Sequence, residues 1–118
     1  MSVKHTEALE STIVEGGTGV SKQVLISSEE GPNFAMRRFE IQPGGGMPNH
    51  INLVEHEQYV LQGQARIGIG DEIYHVKPGD VVFIPAEIPH WYQNEGEEPF
   101  AFLCLVPNKP DKTTILDP

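Results

Sequence analysis

Residues 50–56 read "HINLVEH", with His50 and His56 bracketing Asn52. Five histidines occur in the chain, at positions 5, 50, 56, 75 and 90, and three of them (50, 56 and 90) each follow a sharp turn signal. On a strand, residues two apart point the same way, so His50 and Asn52 share a face. His56 rejoins that face if the strand resumes there. His90 follows "PAEIP" and begins another strand-like run. Imidazole is a common ligand for borderline transition metals, and strands from separate regions can bring several imidazoles to one ion. Histidine spacing alone is weak evidence of this, because scattered polar histidines are common. His5 lies in a polar N-terminal stretch and reads as a solvent residue. His75, in "DEIYHV" before a turn, reads as a surface strand residue.

The elements that must position these side chains are short and β-like. With 118 residues the chain suits one compact domain. Glycine (12) and proline (10) punctuate the runs "KQVLIS", "FAMRRFEI", "EQYVLQ", "QARIGIG", "DEIYHV", "VVFIP", "HWYQN" and "FAFLCLV". Such runs separated by turn residues predict an all-β sandwich or barrel, and no segment carries a sustained helical period. The expected organisation is an N-terminal arm over 1–20, a barrel over 21–107 and a loose or surface-packed tail over 108–118. The run "QPGGGMP" is expected to end the strand that starts at Phe34.

Two runs carry a facing signal. In "FAMRRFEI", Ala35, Arg37, Phe39 and Ile41 share the more apolar face, which takes Arg37 inward with it. The other reading places Arg37 at a strand end, snorkelling to water. In "FAFLCLV" both faces are apolar, and Phe100, Phe102, Cys104 and Val106 share one of them.

Composition excludes several functions. The formal charge of −9, from 17 acidic and 8 basic residues, repels phosphate backbones, so no nucleic acid partner is expected. The longest apolar run, Phe100 to Val106, is too short to span a bilayer, so no membrane partner is expected either. The polar start "MSVKHTEALE" lacks a signal-type core, which gives an expectation of a cytoplasmic protein. The lone cysteine, Cys104, sits in an apolar run and has no partner for an intrachain disulfide.

Taken in order, Gly44, His50, Asn52, His56, Gly63, Gly79, Pro85, His90 and Asn94 strongly resemble the two motifs of the cupin superfamily. In the first motif, glycine is followed by five residues, His-x-His, three or four residues, glutamate, six residues and glycine. Here Asn52 takes the second histidine's place and His56 the glutamate's. In the second motif, Gly79, Pro85, His90 and Asn94 match, and Glu87 stands where glycine is expected. Fifteen residues separate Gly63 from Gly79, the short spacing of compact microbial cupins.

The resemblance implies a small jelly-roll barrel of two antiparallel sheets around a pocket. It also implies a divalent transition metal (Fe, Mn, Ni or Zn) at His50, Asn52, His56 and His90. An amide is a poorer donor than imidazole, so Asn52 binds weakly, holds a ligated water or only buttresses. Neutral ligands leave the ion's charge uncompensated and favour an anionic, oxygen-chelating small molecule. Arg37 is the candidate catalytic residue, pairing a substrate carboxylate, and Phe102, Cys104 and Val106 complete the pocket wall. The leading expectation is a dioxygenase-type enzyme using iron(II) and dioxygen, with lyase, decarboxylase or isomerase chemistry also open. The alternative is a non-catalytic cupin that binds a sugar-like molecule. A homodimer is expected from the resemblance and from "KQVLIS", an apolar edge strand that needs covering.

Overall fold

The computed structural model describes residues 1–116. Ten strands form one curled antiparallel sheet: β1 (Thr12–Ile13), β2 (Thr18–Ile26), β3 (Phe34–Ile51), β4 (His56–Gln62), β5 (Ala65–Ile69), β6 (Glu72–Val76), β7 (Val81–Ile84), β8 (His90–Gln93), β9 (Phe100–Pro107) and β10 (Thr114–Ile115). The sole helical element among the described residues is a 3-10 turn, Thr6–Ala8. No helix there is long and apolar enough to cross a membrane.

The 18-residue β3 organises the barrel. Its first half pairs with β2 and β9, and its second half pairs with β8 and β10, so one strand serves both walls. "QPGGGMP" therefore does not end this strand, as the sequence had suggested. It bends it, with register shifts against both β2 and β8. Gly44 takes φ +80°, and a Cβ on Gly45 would collide with the Thr18 carbonyl, so glycine allows the strand to turn a corner while staying paired.

Alternation explains the core. β4 reads buried–exposed–buried from His56 through Val60, and β7 buries Val82 and Ile84 while exposing Val81 and Phe83. These inward residues join Val20, Ile41, Ile67, Phe100, Phe102 and Cys104 in one cluster. On β9 the inward line is Phe100, Phe102 and Cys104, and Ala101 on the other face is also buried.

Both ends of the described residues are tied to the barrel. β2 already begins at Thr18, and Val20 belongs to the core. The Gln23 side-chain amide donates to the Thr6 and Leu9 carbonyls, at 2.8 and 3.1 Å, and ties the first residues to the outside of β2. At the other end, β10 pairs with the end of β3, placing Thr114 opposite Ile51 and Ile115 opposite His50. These contacts are long-range, which is why local composition did not reveal them. The last two positions of the expected tail, 117 and 118, lie outside the described residues.

Candidate functional site

A cavity of about 170 Å³ opens inside the barrel. His50, Asn52, His56 and His90 all reach it, together with Arg37, Phe102 and Cys104. Val106 does not line it; this residue packs against the core from a half-buried position nearer the end of β9. His5 and His75 are exposed and lie apart from it.

Strand register accounts for the grouping. His50 on β3 is the direct cross-strand partner of His90 on β8, and their ring centroids stand 4.1 Å apart. Asn52 follows β3 in a four-residue connection, and the strand resumes at His56, whose ring lies 5.8 Å from that of His90. All four side chains are buried.

Hydrogen bonds fix how two of the imidazoles present themselves. His50 Nδ1 lies 2.7 Å from the Pro48 carbonyl, and His90 Nδ1 lies 2.9 Å from the Ile88 carbonyl. A carbonyl only accepts, so each Nδ1 carries the proton and each neutral ring keeps its Nε2 lone pair free. His90 Nε2 is buried without a partner, and so are His56 Nε2 and Asn52 Oδ1. The Asn52 amide nitrogen donates to Thr113 Oγ1 at 2.8 Å and, more weakly, to Asp111 Oδ2 at 3.4 Å. Asp111 also accepts from the Leu53 backbone N–H at 2.8 Å. The C-terminal segment thus turns the amide so that its oxygen is left over.

Burial sets the electrostatics. Desolvation, reinforced by the Arg37, His90 and His50 charges and opposed by Asp111, lowers the His56 pKa to about 3. Desolvation and then His50 lower that of His90 to about 4, against the Ile88 hydrogen bond. His50 also moves down through burial, opposed by its bond to Pro48. All three imidazoles are therefore neutral at pH 7, the state in which a ring binds metal.

Among the described residues, no three His, Cys, Asp or Glu side chains already stand as a metal-holding group. The donor chemistry nevertheless fits a divalent ion. Buried polar atoms are ordinarily satisfied, and here His56 Nε2, His90 Nε2 and Asn52 Oδ1 are three polar atoms left unpaired at one cavity, of which His90 Nε2 and Asn52 Oδ1 are acceptors and His56 Nε2 is one in the tautomer protonated at Nδ1. A cation satisfies lone pairs that no protein donor reaches.

The rest of the wall was only partly legible beforehand. Cys104 is the register partner of both Arg37 on β3 and Gln58 on β4, and its sulfur accepts from Arg37 Nη2 at 3.2 Å and from Gln58 Nε2 at 3.7 Å. Burial pushes the Cys104 thiol pKa up despite Arg37. Arg37 lines the cavity, the inward of the two positions its strand left open, with its guanidinium 5.0 Å from the Phe39 ring centroid. Phe39, Phe102 and Tyr92 stack in series at 5.3 and 5.4 Å. Gln58 Nε2 donates to Tyr92 Oη at 2.7 Å, and burial raises the Tyr92 pKa well above its ordinary value.

Lys22, Gln58, Tyr92, Asp111 and Thr113 line the same cavity and were not singled out from sequence. For Gln58 and Tyr92 a signal existed, since each lies two residues beyond a candidate histidine on its strand. Asn94, a motif residue, proves structural: its buried amide donates to the Ile41 and Glu98 carbonyls and its oxygen accepts from the Gly96 N–H. Glu87, standing where the motif has glycine, adopts φ +63°, in the left-handed range of Gly44, Gly63 and Gly79. It is the one non-glycine residue with positive φ among those described.

Comparison with known proteins agrees with this architecture. The polyketide cyclase RemF from Streptomyces resistomycificus superposes with a TM-score of 0.88 at 29% identity, covering 99% of this chain and 87% of that one. An oxalate decarboxylase from Lactobacillus farciminis superposes at 0.78 with 29% identity, covering 95% of this chain and 35% of that one. The 1-methylthio-D-xylulose 5-phosphate methylsulfurylase of Rhodospirillum rubrum is 32% identical over 96 residues, 81% of this chain but 61% of its own length. Residues 37–106 match the family description of a cupin domain, and the chain belongs to the cupin family.

Proposed function

We propose that this cupin is a divalent-metal-dependent enzyme acting on a small oxygen-chelating organic molecule. The observation that supports the reading is the grouping of His50, His56 and His90, all neutral, with the unpaired Asn52 oxygen at one cavity. These four residues would hold the ion. When bound, a divalent ion supplies Lewis-acid polarisation of a substrate oxygen and, if it is iron(II), redox chemistry with dioxygen. Because every protein donor is neutral, the charge balance favours an anionic substrate oxygen.

The chain's own residues supply the remainder. Arg37, which lines the cavity, would orient a substrate carboxylate. The Tyr92 hydroxyl accepts from Gln58, so its own proton is free to be donated to a substrate oxygen. The raised pKa keeps that proton in place at neutral pH. Phe39 and Phe102 give an apolar wall that excludes water. The similar proteins include a cyclase and a decarboxylase by name, which favours lyase, decarboxylase or isomerase chemistry over the dioxygenase-type reaction.

The test begins with protein purified without chelator or affinity metal. Metal content near one per chain, falling sharply in His50→Ala, His56→Ala and His90→Ala, supports the reading. Full occupancy in all three variants refutes it. Dioxygen uptake by the iron(II)-loaded protein with a β-diketone probe separates the dioxygenase-type reaction from the others. The second reading is a non-catalytic small-molecule binder. It is favoured by the lack of a ready-made three-residue metal group among the described residues. Protein that refuses added metal would establish it.

We also propose a homodimer. The outer edge of β2 is covered among the described residues by the two-residue β1, and Val24 and Ile26 on β2 are exposed. A monomeric mass at micromolar concentration would refute it.

A further inference from the structure

Lys22 and Arg37 project into the same cavity as the histidines. Lys22 pairs in register with Phe39, two residues from Arg37 along β3, so the two cations are near neighbours on adjacent strands. Neither has a carboxylate partner among the described residues. The ion pairs among the described residues are Lys4–Glu30, Arg38–Glu40, Arg66–Glu95 and Lys77–Asp80. In a chain of 17 acidic and 8 basic residues, two adjacent unpaired cations at one cavity call for a reason. Among the described residues, the only side-chain acceptor that Arg37 reaches is the Cys104 sulfur, a weak one, and Arg37 Nε is buried without any. Burial and the neighbouring Arg37 charge lower the Lys22 pKa. Glu15 and Asp111 also line the cavity, but both are exposed, Asp111 accepts from the Asn52 amide and the Leu53 N–H, and neither forms an ion pair with Lys22 or Arg37. Half-buried like charges side by side are unfavourable unless an anion completes them.

We infer that Lys22 and Arg37 form an anion subsite, and that the molecule bound here carries a carboxylate or phosphate group held by both cations. The inference deepens the proposed function by naming the substrate class, and it rests on that reading only for the other, chelating end of the molecule. The guanidinium matches the two oxygens of a carboxylate or phosphate in bidentate fashion, and the ammonium adds a point charge. The cavity is close in size to one that takes a benzene-sized guest, so its enclosed part suits a small acid or a short phosphate ester.

The experiment titrates inorganic phosphate and, separately, benzoate into the protein by calorimetry. It is done as purified and again after chelator treatment. Wild-type protein should bind at least one of the two, and the tighter one identifies the source of the anion. Binding should persist after chelation. It should weaken at least tenfold in Lys22→Met and in Arg37→Gln, while Lys22→Arg should retain it. A circular dichroism spectrum and melting temperature matching wild type establish that each variant folds. Equal binding in wild type and Lys22→Met, or binding lost on chelation, would overturn the proposal. The metal reading fails on a different result, unchanged metal content in the histidine variants, so the two failures are distinguishable.

Discussion

Metal-free protein should lose stability steeply in mild acid, and His56 should be a major cause. An imidazole in the unfolded chain titrates near its ordinary value of 6.5, whereas burial in the fold lowers His56 to about 3. Between those values the unfolded state binds a proton that the folded state refuses. Stability therefore rises with pH across this window, is fully present above 6.5 and is lost as pH falls towards 3. At pH 4.5 the two units below 6.5 correspond to roughly 2.5–3 kcal/mol from this one side chain. That is a large share of the 5–15 kcal/mol typical of a domain and equals roughly 10 °C in melting temperature. His90, at about 4, adds to the same slope. The two contributions are not independent, because each ring's charge opposes the other's. The assay is thermal or urea unfolding of chelator-treated protein from pH 7.5 to 4.5, for wild type and His56→Gln. The variant keeps a polar side chain but cannot titrate, so its curve should be flatter by roughly 2.5–3 kcal/mol over that range. Parallel curves would refute the argument and show that His56 is solvated in the folded state.

Four further outcomes follow from the geometry. Thr113→Val removes the acceptor that orients the Asn52 amide, so metal affinity should fall about tenfold, as for other supporting hydrogen bonds around a metal; equilibrium dialysis checks this, and an unchanged affinity would mean that Asn52 is no ligand. Asn52→His should instead raise affinity, because imidazole is the stronger donor, while lowering any dioxygen-dependent turnover by closing an open position. Gly63→Ala should destabilise by roughly 3 kcal/mol or more, because the left-handed backbone at φ +77° is joined by a collision of the new Cβ with the Pro99 carbonyl. Gly79→Ala, at φ +93° with open space around it, should cost only about 1–2 kcal/mol of backbone strain, and urea unfolding of the pair compares them. Glu87→Gly should stabilise the protein by about 1 kcal/mol by relieving φ +63°, less whatever the freer unfolded chain takes back.

Local periodicity and turn residues carry only what neighbouring residues impose on one another, and for this chain that was a good deal. The alternation in "FAMRRFEI" put Arg37 on the more apolar face and left two positions open, inward or snorkelling to water; the structure has it against Phe39 and Cys104. The glycines of the two motifs marked backbone positions that a side chain strains, and Gly44, Gly63 and Gly79 all adopt positive φ. The same motif drew attention to position 87, where the sequence has glutamate and the backbone still takes the glycine conformation. The all-β class and the family were legible for the same reason.

What the sequence could not determine is everything that depends on pairing between distant strands. "QPGGGMP" has the composition of a loop, yet it remains in β3 because β2 and β8 supply hydrogen-bond partners on both sides of the bend. Val106 shares an alternation face with Cys104 but lies where that face has passed the cavity. The polar tail gave no sign that Thr113 and Asp111 would hold the amide of Asn52, about 60 residues away in sequence. Lys22 looked like any strand lysine until the register set it beside Arg37. Sequence fixes which side of a strand a residue occupies, because the period of two is a local property of the backbone. Which side chains meet across the barrel is decided by register and closure, and those exist only once the whole sheet has formed.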